Sequence, residues 1–160
     1  MLVTIIAPLF EELQFRLPLS EKRKHFIFPI LITLSFILIQ ILDNVSWLKF
    51  SIYSTYFIFL VFIFFRKERD FKNPKIDIFG TTIFFALLHS FNYELSELNG
   101  VEYLSILLAV LPQFIGGLML AYIRIRFGFW YGVFFHGLWN FTLISLILIL
   151  FSIVGDSLIY

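Results

Sequence analysis

The sequence predicts an all-α fold: a polytopic membrane helical bundle of about six transmembrane helices, forming a single domain over residues 1–160. Three observations predict it. The chain is 60% apolar and 14% charged, with 23 Phe among 160 residues and a mean hydropathy of +0.93. Soluble domains carry about a quarter charged residues, so no separate soluble domain fits. The apolar residues fall into long runs joined by short polar connectors, and those connectors alternate in charge.

The runs cover 1–17, 26–42, 50–65, 76–91, 103–123 and 129–154. A spanning helix needs ~17–25 apolar residues, and backbone unpaired in lipid is not viable, so each run is read as a helix. Residues 16–25 hold Arg16, Lys22, Arg23 and Lys24; residues 66–75 hold Arg66, Lys67, Arg69, Lys72 and Lys75; Arg124 and Arg126 follow the fifth run. The intervening connectors hold Asp43 with Lys49, then Glu94, Glu97 and Glu102, and Asp156 lies near the end. Six crossings put 11 of 12 Lys/Arg on one side, which the positive-inside rule makes cytoplasmic. Both termini then face outward. The N-terminus has neither the basic region nor the small-residue cleavage site of a signal peptide.

Composition also excludes. With no cysteine there is neither a disulfide framework nor a thiol nucleophile. A net charge of +1 gives no electrostatic footprint for nucleic acid. The partners implied are the lipid bilayer and whatever else enters it.

Few ionisable groups lie within the spans: Glu11, Glu12, His89 and His136, with Arg16 at a helix end, Asp77 at the start of the fourth run, and Asn140 as a further strong polar group. At 1.5 Å per helical residue, Glu12 is ~15 Å from Lys22, His136 ~15 Å from Arg126, and His89 ~21 Å from Lys75. Three remote segments thus bring costly side chains to one layer, where they should face the bundle interior and each other. Glu12 and Arg16 stand at i,i+4, a spacing that allows a bidentate pair. Glu11 is rotated ~100° away and free to face something else. His136 and Asn140 are also i,i+4.

Each motif is modest alone. EExxxR on a soluble helix is usually a solvated ion-pair face, but this chain offers no solvated face there. HxxxN can simply hydrogen-bond helices together, and a His beside Ser90 and Asn92 is often interfacial. Gly116, Gly117, Tyr122 and the GxxxG of Gly128 and Gly132 read as helix packing; Pro8 and Pro112 read as kinks. Trp130 reads as an interface anchor and Trp139 as a packing residue. His25, in a basic loop, has no assigned role.

Taken in order, "EELQFR" (11–16), "FALLH" (85–89) and "HGLWN" (136–140) resemble the EExxxR, FxxxH and HxxxN motifs of the CPBP family, the CAAX proteases and bacteriocin-processing enzymes also called Abi proteins. "APLFEELQFR" looks like the family's opening, and "GGLMLAYIRIRFGFWYGVFFHGLWNF" like its closing helix pair. The resemblance covers about residues 3–17 and 80–145. It departs in having only ten residues before Glu11, in an additional helical hairpin at about 26–65 between the first and second motifs, and in Leu17-Pro18 after the motif arginine.

The resemblance implies an intramembrane endopeptidase in the plasma membrane of a bacterium, acting on a membrane-associated peptide or protein. By motif, Glu11 is the general base and His89 helps to hold and polarise the attacking water. Glu12 is a supporting group fixed by Arg16. His136 and Asn140 donate to the tetrahedral oxyanion, so loss of Asn140 should be severe. No cofactor is expected: two glutamates and two histidines would suit zinc, but HExxH is missing and the resemblance points to a metal-free glutamate mechanism. The competing expectation is a catalytically inactive relative serving as a membrane binding or bacteriocin-immunity protein.

Overall fold

The computed structural model describes residues 2–20, 22–42, 46–66, 74–92 and 100–157, the side chains of 100–107, 109 and 154–157 excepted. Asp43, Lys67, Arg69, Lys72, Glu94, Glu97 and the side chains of Glu102 and Asp156 lie outside the described residues. The bundle is helical throughout, with no strand among the described residues.

The chain starts with a helical rod of changing pitch. A π-helical turn over Leu2–Ile6 leads into α1 (Ala7–Glu11), a second π turn over Glu12–Arg16, and a 3-10 turn over Leu17–Leu19. Pro8 falls in the first turn of α1 and Pro18 in the first turn of the 3-10 segment, positions where a missing N–H costs least. The helical path therefore survives Pro18 and ends at Ser20, which is extended (ψ 146°).

Five longer helices follow: α2 (Ile27–Leu42), α3 (Trp47–Arg66), α4 (Pro74–His89), α5 (Gly100–Phe127) and α6 (Phe129–Ser157). Among the described residues four segments are long and apolar enough to cross a membrane: Arg23–Leu42, Trp47–Arg66, Val110–Phe127 and Phe129–Ile153. The other two differ for physical reasons. The first rod carries Glu11, Glu12 and Arg16, and α4 has 16 residues, ~24 Å of helix against a hydrocarbon core of ~30 Å. Each has a buried polar side that needs the other helices around it: Glu12, Gln14 and Arg16 on the rod, and Asp77, Thr81 and Thr82 on α4.

The rod is the axis. Its Glu12–Arg16 turn touches α2, α4, α5 and α6, while α2 pairs with α3, α4 with α5, and α5 with α6. An aromatic cluster fastens the α2–α3 hairpin to this axis. Phe15 packs on Tyr56 (ring centroids 5.1 Å) and edge-on to Phe85 (5.5 Å), with Phe26, Leu60 and Ile63 completing the core. Such aromatic pairs add ~0.5–1.5 kcal/mol each beyond the area they bury. The Tyr56 hydroxyl donates to the Gln14 carbonyl at 2.7 Å, and the Gln14 amide donates to the Thr33 hydroxyl at 3.4 Å. A wide π turn leaves carbonyls poorly paired, and side chains of the hairpin satisfy one of them.

The α5–α6 corner is set by Gly128. Its φ of +107° is a left-handed value that side-chain-bearing residues rarely adopt, and its N–H donates back to the Arg124 carbonyl at 3.1 Å, a helix C-terminal stop. The expected Gly128/Gly132 packing pair is thus corrected: a Cβ on Gly128 would meet nothing within 4 Å, whereas one on Gly132 would lie 2.8 Å from Glu12 Oε2. Gly116 likewise meets nothing, and Tyr122 and Trp139 are exposed to what the apolar surroundings make a lipid-facing surface.

Candidate active site

Four of the six sequence-predicted residues converge. The rod presents Glu11 and Glu12 in adjacent positions at the junction of α1 and the second π turn; π turns recur at functional sites because they re-aim side chains. His89, the last residue of α4, places Nε2 3.7 Å from Glu11 Oε2. His136 of α6 lies between the two glutamates, Nε2 3.4 Å from Glu11 Oε2 and Nδ1 3.1 Å from Glu12 Oε1. Glycines make this approach physically available. Gly132, one turn before His136, admits the Glu12 carboxylate, and Gly137 lies against the Thr4 carbonyl, 2.5 Å from where a Cβ would stand.

Hydrogen bonding fixes the histidine tautomers. A carbonyl only accepts, so the 2.8 Å contact between His89 Nδ1 and the Phe85 carbonyl puts the proton on Nδ1 and leaves Nε2 facing Glu11. The Glu12 carboxylate likewise accepts from His136 Nδ1. Phe85 holds both rings by contact, with centroids 4.2 Å from His89 and 6.0 Å from His136. The phenylalanine of FxxxH is therefore a spacer between the two imidazoles.

Glu11 Oε2 is buried and makes no hydrogen bond among the described residues, although two imidazole nitrogens stand within 4 Å of it. It borders a cavity of about 200 Å³ lined by Glu11, Gln14, Phe15, Phe36, Tyr53, Leu88, His89 and Asn92. Phe36 and Tyr53 come from α2 and α3 and stack face to face at 5.0 Å. Sequence reasoning missed both. The hairpin is expected from the sequence as an addition to the family pattern, and nothing in that sequence says that it walls the site.

Two expected contacts are corrected. Arg16 does not form the bidentate pair with Glu12. Its guanidinium is wholly buried, makes no hydrogen bond among the described residues, and lies over the Phe85 ring at 4.6 Å beside Gly117. The π turn changes the angular relation of residues 12 and 16, and Glu12 swings towards α6 while Arg16 swings towards α4 and α5. Asn140 does not reach the cavity: its amide donates to the Val3 carbonyl at 3.0 Å, tying α6 to the first turn of the rod.

Among the described residues no three His, Asp or Glu side chains are grouped as metal ligands would be. The ring nitrogens of His89 and His136 face carboxylates and, at His89 Nδ1, a carbonyl.

A second cavity, about 650 Å³, lies between α4 and α5 and shares no lining residue with the first. Leu19 and Ser20 at the end of the rod, Pro74 and Asp77 at the start of α4, and Arg124 and Arg126 at the end of α5 all border it. Ends expected from charge alternation to share one side of the membrane therefore meet.

A helical membrane bundle with Glu11 and His89 lining a small cavity, and Glu12 and His136 packed beside them, defines a class: integral membrane proteins with a buried polar site. The chain belongs to the Rce1-like family, described as type II CAAX prenyl endopeptidase Rce1-like, whose profile matches residues 1–142. This is a protease family. Comparison with curated proteins and with solved structures gave no match.

Proposed function

We propose that the protein is an intramembrane endopeptidase of the metal-free glutamate type, hydrolysing peptide bonds of membrane-associated peptides or proteins. The carrying observation is the Glu11–His89 pair: both residues line the cavity, and Glu11 Oε2, buried and without a hydrogen bond among the described residues, stands 3.7 Å from His89 Nε2. A water bridging the two atoms at ordinary hydrogen-bond lengths spans ~4.4 Å, so the pair takes one in by parting ~0.7 Å. That water would give one hydrogen to Glu11 and the other to the lone pair of His89 Nε2, leaving an oxygen lone pair for the peptide carbonyl. Glu11 takes the proton as water adds, then returns it to the leaving amine as the C–N bond breaks. His136 is held by Glu12, and its Nε2 stands 3.4 Å from Glu11 Oε2. With the Asn140 amide engaged by Val3, Tyr53, which lines the same cavity, is the better-placed hydroxyl for the oxyanion.

The end of the molecule carrying Ser20, Pro74, Arg124 and Arg126 is assigned to the cytoplasmic side, with both termini outside; the convergence of those ends on one cavity supports that orientation.

Comparative proteomics of cells carrying Glu11→Gln against wild type tests the reading. An uncleaved membrane peptide should accumulate in the variant, with cleavage down ~10²–10⁴-fold and expression unchanged. Equal peptide profiles and an unchanged phenotype would favour an inactive binding or immunity protein. Chelators should leave cleavage intact; inhibition by chelator together with metal in the purified protein reverses the choice of mechanism.

A further inference from the structure

The cavity between α4 and α5 is used by nothing in the proposed chemistry. Twelve residues of α4 separate Asp77, on its wall, from His89, about 18 Å along the helix. It has two kinds of lining. Leu118 and Ile125 give an apolar wall, Tyr122 contributes an exposed phenol, and Arg124 and Arg126 supply two cations. Among the described residues Asp77 is the one carboxylate on the wall, and it is ion-paired with Arg66, so the described lining carries an excess of positive charge.

The two arginines differ. Arg124 is held in place: its Nε donates to the Arg16 carbonyl at 3.3 Å and its guanidinium lies over the Phe129 ring at 5.4 Å. The rest of its fork has no hydrogen bond among the described residues. Arg126 is exposed at the rim. A pre-positioned guanidinium, a second, exposed one and an adjoining apolar wall complement an amphiphile with an anionic head. The level matches too, because the cavity lies where helix ends carry the chain's basic residues, the depth of a lipid headgroup.

We propose that this cavity binds the phosphate headgroup of an anionic phospholipid, with Arg124 and Arg126 on the phosphate and an acyl chain along Leu118 and Ile125. Because Arg124 also holds the Arg16 carbonyl, the bound lipid would brace the end of the rod that carries Glu11 and Glu12.

Lipid retention is read without a cleavage assay, so its outcome is separable from that of the peptidase reading. The purified full chain in detergent is mixed with equal amounts of dioleoylphosphatidylglycerol and dioleoylphosphatidylcholine, and retained lipid is measured by native mass spectrometry. Phosphatidylglycerol should be retained about 25-fold over phosphatidylcholine, from two arginines at about fivefold each. Arg126→Gln should lower that preference about fivefold, with the melting temperature in lipid-free detergent unchanged. Lys24→Gln, which removes an exposed cation outside the cavity, should leave it as in wild type. Equal retention of the two lipids, or an equal loss in Lys24→Gln, overturns the site. Displacement of phosphatidylglycerol by millimolar inorganic phosphate overturns the lipid as ligand in favour of a soluble anion.

Discussion

The first rod and α6 each carry a pair of polar motif residues four positions apart, and the bundle treats them in opposite ways. From Gln14 to Leu19 every residue of the rod is buried, and Glu12 is 1% exposed. Among the described side chains of α6, only Gly132 and His136 are buried; its Leu, Ile and Phe residues face outward. From Gln14 to Leu19 the rod is an axis surrounded on all sides, although its first turns leave Leu2, Val3, Ile5 and Phe10 exposed, and α6 is a wall with one inward stripe. In water the apolar stripe of a helix marks its inner face. Here lipid solvates the apolar residues, so the glycine and the polar residues mark the inner face instead.

That contrast can be broken at several points, and the largest effect should come from the axis. Arg16→Ala removes a wholly buried guanidinium from between Phe85 and Gly117 and leaves Glu12 without its nearby charge; a loss of ~3–5 kcal/mol is expected, read as a lowered detergent melting temperature or failure to accumulate. Next is the inward stripe of the wall. Gly132→Val forces a side chain against Glu12 Oε2 and should cost ~1–3 kcal/mol, with cleavage lost because His136 is displaced with it. A melting curve identical to wild type would show that α6 does not press on the axis there.

Asn140→Ala separates two roles for the amide. As a clamp on the Val3 carbonyl it is worth ~1 kcal/mol, and cleavage should fall by roughly tenfold at most. A fall of ~10²–10³ in kcat with stability unchanged would return it to the oxyanion. The smallest effect belongs to the outer face of α6: Leu146→Ala, at an exposed position, should change stability by only ~0.5 kcal/mol, and a larger loss would mean that this face is covered by protein.

Much of the site was legible in the sequence because intramembrane charge is costly. Glu11, Glu12, His89 and His136 had to find each other, and counting helical residues from the basic connectors put them at one depth before any packing was known. Partner choice was not legible. The i,i+4 spacing of Glu12 and Arg16 assumes an α-helix, and the π turn over Glu12–Arg16 redirects both side chains. Gly128 and Gly132 look alike as a GxxxG, yet one terminates α5 by its backbone and the other yields space to a carboxylate. Phe36 and Tyr53 carry no signal at all, since an aromatic residue in an apolar run reads the same whether it faces lipid or lines a cavity.

The sequence by itself determined that the chain is a membrane helical bundle, which ends share a side, and which few polar groups must lie inside. Those follow from the cost of moving charge and unpaired backbone into hydrocarbon, a quantity fixed residue by residue. Only the tertiary structure decided which imidazole faces which carboxylate, that the α2–α3 hairpin walls the site, and that a second, cationic cavity opens between α4 and α5. Those depend on helix rotation and pitch, where a turn that differs by one hydrogen-bond register sends the same side chain to a different neighbour.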